Sequence, residues 1–216
     1  MYVPRHFEEH RPERLQSVIS QNPLGILVTY GHSGLDANHL PFEYEHRGDS
    51  LGVLHSHVAR ANPVWQDVSS GDEVLAIFRG PDAYISPNSY PSKHELHRQV
   101  PTWNYVVVHA HGHIAVRDDE RYLRGVVGRL TKRMEASQPR PWRMGDSSPD
   151  FIDEMLRSIV GIEIRVSRLV GKSKLSQNKE TRDAEGAAQS LREQGHTDLA
   201  DEMLARVAER PADHER

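Results

Sequence analysis

Apolar positions recur at helical spacing over Pro12–Gln21, where Leu15, Val18 and Ile19 share a face and Pro12 suits the first turn. After Asn22-Pro23 the period shortens. Residues 24–30 predict a strand, Gly31-His32-Ser33-Gly34 a tight turn, and residues 37–44 the returning strand of a hairpin. Residues 50–56 predict a third strand with Leu51, Val53 and His55 on one face. A helix is expected over 59–69, starting at Asn62-Pro63, followed by a very apolar strand at 74–78 and a shorter one at 83–86. Residues 87–99 show no period and predict a long surface loop. Residues 102–116 then read as the strongest strand, with Gly112 marking a bulge or bend. Helical stripes follow at 122–134 and 151–159, a last strand at 162–166, and a polar, helix-prone tail over 181–210 broken at Gly195.

Six or more strands in hairpin order do not make the regular strand–helix alternation of a parallel sheet, so the expected class is mainly β with flanking helices, closed as an antiparallel barrel. The organisation expected is one core domain over 1–170 and a polar helical extension over 171–216. A chain of 216 residues is long enough for this. With no cysteine, the sequence excludes disulfides, thiolate nucleophiles and Cys-ligated metal sites. The N-terminal residues lack the apolar stretch of a signal peptide, and no run of roughly 18 apolar residues occurs, so a cytoplasmic location away from membranes is expected. A net charge of −4 argues against an overall basic nucleic-acid binder. Residues 165–182 nevertheless hold six cations against one acid, Glu180, and DNA stays open as a partner there.

Neither a P-loop, a Gly-x-Gly-x-x-Gly fingerprint nor a Gly-x-Ser-x-Gly elbow is present, and His94-Glu95-Leu96-His97 lacks the spacing of a zinc protease. Three polar clusters remain. Pro101-Thr102-Trp103-Asn104-Tyr105 places Trp103 and Tyr105 on one face and Thr102 and Asn104 on the other. That mixture suits a flat heteroaromatic ligand, although the two rings could equally be core aromatics. His55-Ser56-His57-Val58-Ala59-Arg60-Ala61-Asn62-Pro63 sets hydroxyl, imidazole and guanidinium donors ahead of a helix N-terminus, as a phosphate requires, or else forms a capping network. Lys172-Ser173-Lys174-Leu175-Ser176-Gln177-Asn178-Lys179 either closes a site or is a solvated loop. His109, His111 and His113 alternate along one strand, and no carboxylate partner for a metal or haem is evident, so no metal ligand is assigned.

Taken in order, these clusters resemble the PaiB family of FMN-binding proteins, described as negative transcriptional regulators. The resemblance runs over most of the chain, through Met1-Tyr2-Val3-Pro4 and Phe7, Ala37-Asn38-His39-Leu40-Pro41, the His57 to Pro63 cluster, Phe78-Arg79-Gly80-Pro81, Ala83-Tyr84-Ile85-Ser86-Pro87, Val100 to Tyr105 with His109, and Lys174-Leu175-Ser176-Gln177-Asn178. It implies a six-stranded split β-barrel like that of pyridoxamine-phosphate oxidase, a homodimer with flavin at the subunit interface, and FMN as cofactor. By position, His57 and Arg60 would lie near the phosphate, and Asn38 and His39 near the ribityl chain or ring. Thr102, Trp103 and Asn104 would belong to the ring site, with Lys174 and Gln177 closing it. The chain departs from the family at Asn38, where a hydroxyl residue is common, and in its His109 to His113 run. The same barrel also hosts flavin-dependent reductases or oxidases and haem-binding proteins, so whether this one turns over a substrate stays open.

Overall fold

The computed structural model describes residues 1–32, 34–46, 48 and 51–209. Ser33 of the expected turn, Ser50 at the head of the expected third strand and Arg210 at the end of the expected tail lie outside the described residues. A short β1 (Glu8–Glu9) precedes α1 (Pro12–Gln21), which has the predicted bounds. Then β2 (Leu24–Gly31) and β3 (Gly34–Pro41) pair in register from Leu24 opposite Pro41 to Gly31 opposite Gly34. The expected second strand is interrupted at Phe42, whose N–H donates to the Pro23 carbonyl at 2.7 Å. Its ring is buried edge-on against Phe78, 5.5 Å between centroids, and β4 (Glu43–Glu45) resumes beyond it.

The third strand is displaced from its expected place. Gly52 takes a left-handed φ of 88°, so Leu51 stays outside and exposed, and β5 runs from Val53–Ala59. Because β5 continues through the expected helix start, only one turn remains for α2 (Val64–Asp67) where a helix over 59–69 was expected. β6 (Glu73–Ile85) replaces the two expected strands with one. Its buried side shifts from Val74, Ala76 and Phe78 to Ala83 and Ile85, from even to odd positions, and that phase change hides its continuity in sequence.

The expected loop at 87–99 is partly helical: α3 (Pro91–Leu96) ends at His97, which adopts a left-handed φ of 51°. Buried Tyr90 and Ser92 hold it in place. β7 (Thr102–Arg117) is one strand through Gly112, where a bulge or bend was expected. A Cβ at Gly112 would stand 2.4 Å from the Arg165 carbonyl oxygen, so close backbone approach is what requires glycine there. α4 (Glu120–Met134) is capped by Asp119, which accepts from the Tyr122 N–H at 2.8 Å, and α5 (Pro149–Arg157) by Ser148. β8 (Ile159–Lys174) far outruns the predicted 162–166, since exposed Arg165, Ser167 and Arg168 mask its second half. Gly195, with φ 86°, separates α6 (Thr181–Glu193) from α7 (Thr197–Ala208).

The fold is thus mainly antiparallel β with flanking helices. Its strands order as β3-β2-β6-β7-β8-β5-β4, with β1 also on β8, eight strands where six were expected. The chain divides into two compact units. One comprises Met1–Val18, Arg79–Val108 and the chain from Val170 onward; the other comprises Ile19–Phe78 and His109–Leu169. In the first, Ala184, Ala187, Ala188 and Leu191 of α6 with Leu199, Ala200 and Met203 of α7 are buried. Most of this face packs with Ala83, Ile85, Tyr90, Val106 and Leu175. Small side chains let these helices lie close on the strands. In the second unit, β5 pairs with β8 from Val53 opposite Arg165 to Ala59 opposite Ile159. There α4 and α5 bury Leu123, Ile152 and Leu156 against each other.

Candidate functional site

In the first unit, the end of β8 lies beside the start of β7. Alternation along β8 sends Lys172 and Lys174 to one side. The Lys174 ammonium donates to the Thr102 hydroxyl at 2.5 Å and lies 5.9 Å from the Phe7 ring centroid. Lys172, only 9% exposed, donates to the Tyr2 carbonyl at 3.2 Å and sits 5.2 Å from the Tyr105 ring centroid. Neither lysine has a carboxylate partner among the described residues. Burial, and then the charges of Lys172 and Lys179, pull the Lys174 pKa below the usual lysine value.

Asn104 is buried, and its amide N–H₂ donates to the Ser176 hydroxyl at 2.9 Å and to the Met203 sulfur at 3.3 Å. Its carbonyl oxygen has no partner. Trp103 faces the other way, 54% exposed, with its ring edge-on to Tyr84 at 5.9 Å. Gln177 works within its own loop: its carbonyl accepts from the Leu175 N–H at 2.6 Å, and its amide donates to the Ser173 carbonyl. This tie shapes the turn in which Ser176 adopts a left-handed φ of 64°.

In the second unit, Asn62 bridges two elements. Its amide N–H₂ donates to the Asn38 carbonyl at 2.7 Å, and its own carbonyl accepts from the Val64 N–H at 2.9 Å. Asn38 donates in turn to Asp36 at 2.8 Å, while His39 is exposed on β3. His57 carries a buried Nδ1 with no partner among the described residues, and burial lowers its pKa, which favours the neutral ring. Arg60 is engaged on both edges. It donates to the two Asp118 carboxylate oxygens at 2.9 and 2.5 Å, to the Arg157 carbonyl at 2.7 Å and to the Ile159 carbonyl at 3.0 Å. One-turn α2 supplies almost none of the aligned dipole anticipated for a phosphate there.

The predicted residues therefore fall into two groups. Thr102, Trp103, Asn104, Lys174 and Gln177 lie in the first unit, and Asn38, His39, His57 and Arg60 in the second. Sequence reasoning passed over Lys172 and Ser176 as site residues, although the period of two pairs Lys172 with Lys174. It had no signal for Asp118, which is 58 residues from Arg60. Along β7, His109 and His111 are half-buried with ring centroids 6.5 Å apart, and burial lowers both pKa values. No cluster of three or more metal-ligating side chains occurs among the described residues.

FMN presents a flat ring with hydrogen-bonding edges and an anionic phosphate. Two lysines without carboxylate partners among the described residues and an exposed indole fit such a group, whereas the Asn104 carbonyl is buried away from the indole. Residues 1–168 match the family described as "Putative FMN-binding domain". The chain is similar to protease synthase and sporulation protein PAI 2 of Bacillus subtilis, at 31% identity over 183 residues and 85% of each chain. An uncharacterized protein of Aspergillus fumigatus is 30% identical across 88% of this chain and 90% of its own. Among solved structures, the FAD and heme binding protein from Mycobacterium smegmatis aligns with TM-score 0.55 at 15% identity, over 77% of this chain and 73% of that one. A flavocytochrome from Azotobacter vinelandii aligns with TM-score 0.54 at 11% identity, over 80% and 72%. These two likenesses concern the fold alone, the split barrel that the sequence resemblance implied. On the match over residues 1–168 and the identity to PAI 2, this chain belongs to the PaiB-type family of FMN-binding proteins.

Proposed function

We propose that the chain is a cytoplasmic, homodimeric regulator of the PaiB type whose state is set by FMN bound at the Lys172–Lys174 group. The observation that carries this reading is the pair of lysines, drawn out of water without a carboxylate to neutralise them. A cation in that position is costly unless an anion joins it. In this reading Lys172 and Lys174 hold the anionic part of FMN, Trp103 stacks on its ring, and Asn104, buried on the other face, braces the Ser176 turn. Thr102 orients the Lys174 ammonium, and Gln177 keeps the loop in shape. Bound FMN supplies a ring that accepts one or two electrons. A separate phosphate-contacting role for His57 and Arg60, with Asn38 and His39 beside them, requires Arg60 to exchange Asp118 for phosphate. Self-association is supported by Tyr30 and Leu35, opposite each other across the hairpin and 73% and 77% exposed.

The decisive experiment is titration of purified protein with FMN, followed by absorbance and flavin fluorescence, with mass measured by ultracentrifugation. Saturable binding at one flavin per chain in a dimer is expected, and a protein that binds no FMN sinks the reading. The regulatory part is tested by expression of reporter genes in cells with and without the chain. Rapid reduction of the flavin by NADH or NADPH with turnover of an acceptor would replace the regulator with a reductase. A Soret band on haemin addition that disappears in His109→Ala would replace it with a haem protein.

A further inference from the structure

The second unit contains a cavity of about 590 Å³ that the flavin reading does not use. One wall is a face of α4 carrying Gly128, Lys132 and Glu135; the facing wall is the segment bearing Trp142, Arg143 and Met144. The volume falls in the range of small-molecule sites. Three features of its wall point to an occupant. First, Gly128 stands inside a helix, where glycine costs about 1 kcal/mol relative to alanine. Packing does not demand it: an added Cβ would meet only the Met144 methyl, at an ordinary 3.5 Å. What the missing side chain preserves is open volume. Second, Lys132 and Arg143 are exposed cations with no ion-pair partner among the described residues. Of the nearby acids, Glu135 accepts the Trp142 backbone N–H and Asp146, which is not part of the lining, accepts the Arg143 backbone N–H, both at 2.9 Å. Third, Trp142 is 41% exposed beside the half-buried Met144 thioether, leaving an aromatic face and a polarizable sulfur on the same wall.

We propose that this cavity is a second ligand site, for a small planar aromatic anion whose ring lies on Trp142 and Met144 and whose carboxylate meets Lys132 and Arg143. Two cations and an aromatic wall favour such a ligand over a neutral one of the same shape, because Lys132 and Arg143 together outweigh the one carboxylate of the lining, Glu135. Gly128 gives the ring its depth.

The test uses the full chain loaded with FMN and 1-naphthoate as probe, followed by calorimetry. Expected is one saturable site with a dissociation constant below about 1 mM. Binding should weaken at least about tenfold in Gly128→Leu, which fills the cavity with a better helix former, and by a similar factor in Lys132→Ala/Arg143→Ala. The neutral isostere 1-naphthalenemethanol should bind more weakly than the anion. FMN affinity and melting temperature serve as controls for folding and should not fall in Gly128→Leu. No saturable binding, equal binding of the neutral compound, or full affinity in Gly128→Leu each overturns the proposal. So does displacement of the probe by a single-stranded oligonucleotide at lower concentration than by other aromatic acids, which would make the surface a nucleic-acid contact instead.

Discussion

The Lys174 ammonium donates to the Thr102 hydroxyl at 2.5 Å, joining the last residue of β8 to the first of β7 with no carboxylate partner at either end among the described residues. The lysine is half-buried, and its pKa is depressed by burial and by neighbouring lysines. A base whose folded pKa lies below its unfolded value destabilises the fold while both forms are charged. That cost is relieved as pH rises through the folded pKa towards the unfolded one. At pH 7, Lys174→Met should therefore raise the melting temperature of the flavin-free protein. The gain is modest, about 0.5 kcal/mol, because water screens a half-buried charge. The same variant should bind FMN about tenfold more weakly, a loss of ~1.4 kcal/mol. Stability without flavin and affinity for flavin move in opposite directions only if the lysine awaits an anion. Thermal melts and flavin titrations of the one variant decide it.

Asp183 carries a different kind of burden. Only 1% exposed, at the start of α6, it accepts from the Ser92 N–H at 2.9 Å, the Ser92 hydroxyl at 2.6 Å and the Gln99 amide at 3.1 Å. Gln99 in turn accepts from the Lys179 ammonium at 2.6 Å. Asp183→Ala leaves the Ser92 donors buried without an acceptor and should cost about 3 kcal/mol in urea unfolding. In the double variant with Ser92→Ala the two losses should fall well short of additive, since one network is being removed twice.

How far these features were legible depends on the range of the interactions behind them. Local signals sufficed for α1, where the apolar period, Pro12 and Asn22-Pro23 agree, and for α4, where Asp119 caps a clear stripe. They failed at β6 and β8. In β6 the buried face changes phase near Gly80, and in β8 exposed arginines hide a strand whose pairing partners lie on β5 and β1. The 87–99 segment looked structureless because its order comes from Asp183, 91 residues away from Ser92. The Thr102 and Lys174 clusters were visible as dense polar sequence, yet their meeting needs two strands distant in the chain. Arg60 showed its donors in the sequence but not Asp118, which already holds them.

Buried His57 sets a direction for the pH response. Its pKa is lowered by burial, as are those of His109 and His111, led in each case by the same cause. The unfolded chain therefore binds protons first. The stability associated with these neutral rings is complete above the unfolded value near 6.5 and is lost as pH falls through the folded values. Melting temperature should drop steadily from pH 7 towards pH 5. His57→Phe removes a buried nitrogen that has no partner, so this variant should show a shallower slope over that interval. An unchanged slope would shift the response to His109 and His111, and His109→Phe would then flatten it.

Arg60 and Asp118 offer the sharpest separation between a structural and a ligand-binding role. In the structure Asp118 takes both ends of the guanidinium, and the hydrogen bonds hold the Asp118 pKa below the usual carboxylate range. A phosphate arriving at Arg60 would have to displace that carboxylate. Asp118→Asn keeps the shape while removing the competing charge. If Arg60 binds phosphate, FMN should bind the variant several-fold more tightly, and riboflavin, which lacks the phosphate, should show no change. If Arg60 serves only to tie β5 to the Arg157 and Ile159 carbonyls, both flavins should bind as before while thermal stability falls slightly. Both residues are at the surface, so the structural loss should be small and should shrink further in high salt. Comparing FMN with riboflavin in this one variant reads the competition directly, because the two ligands differ only in the group that would replace the carboxylate.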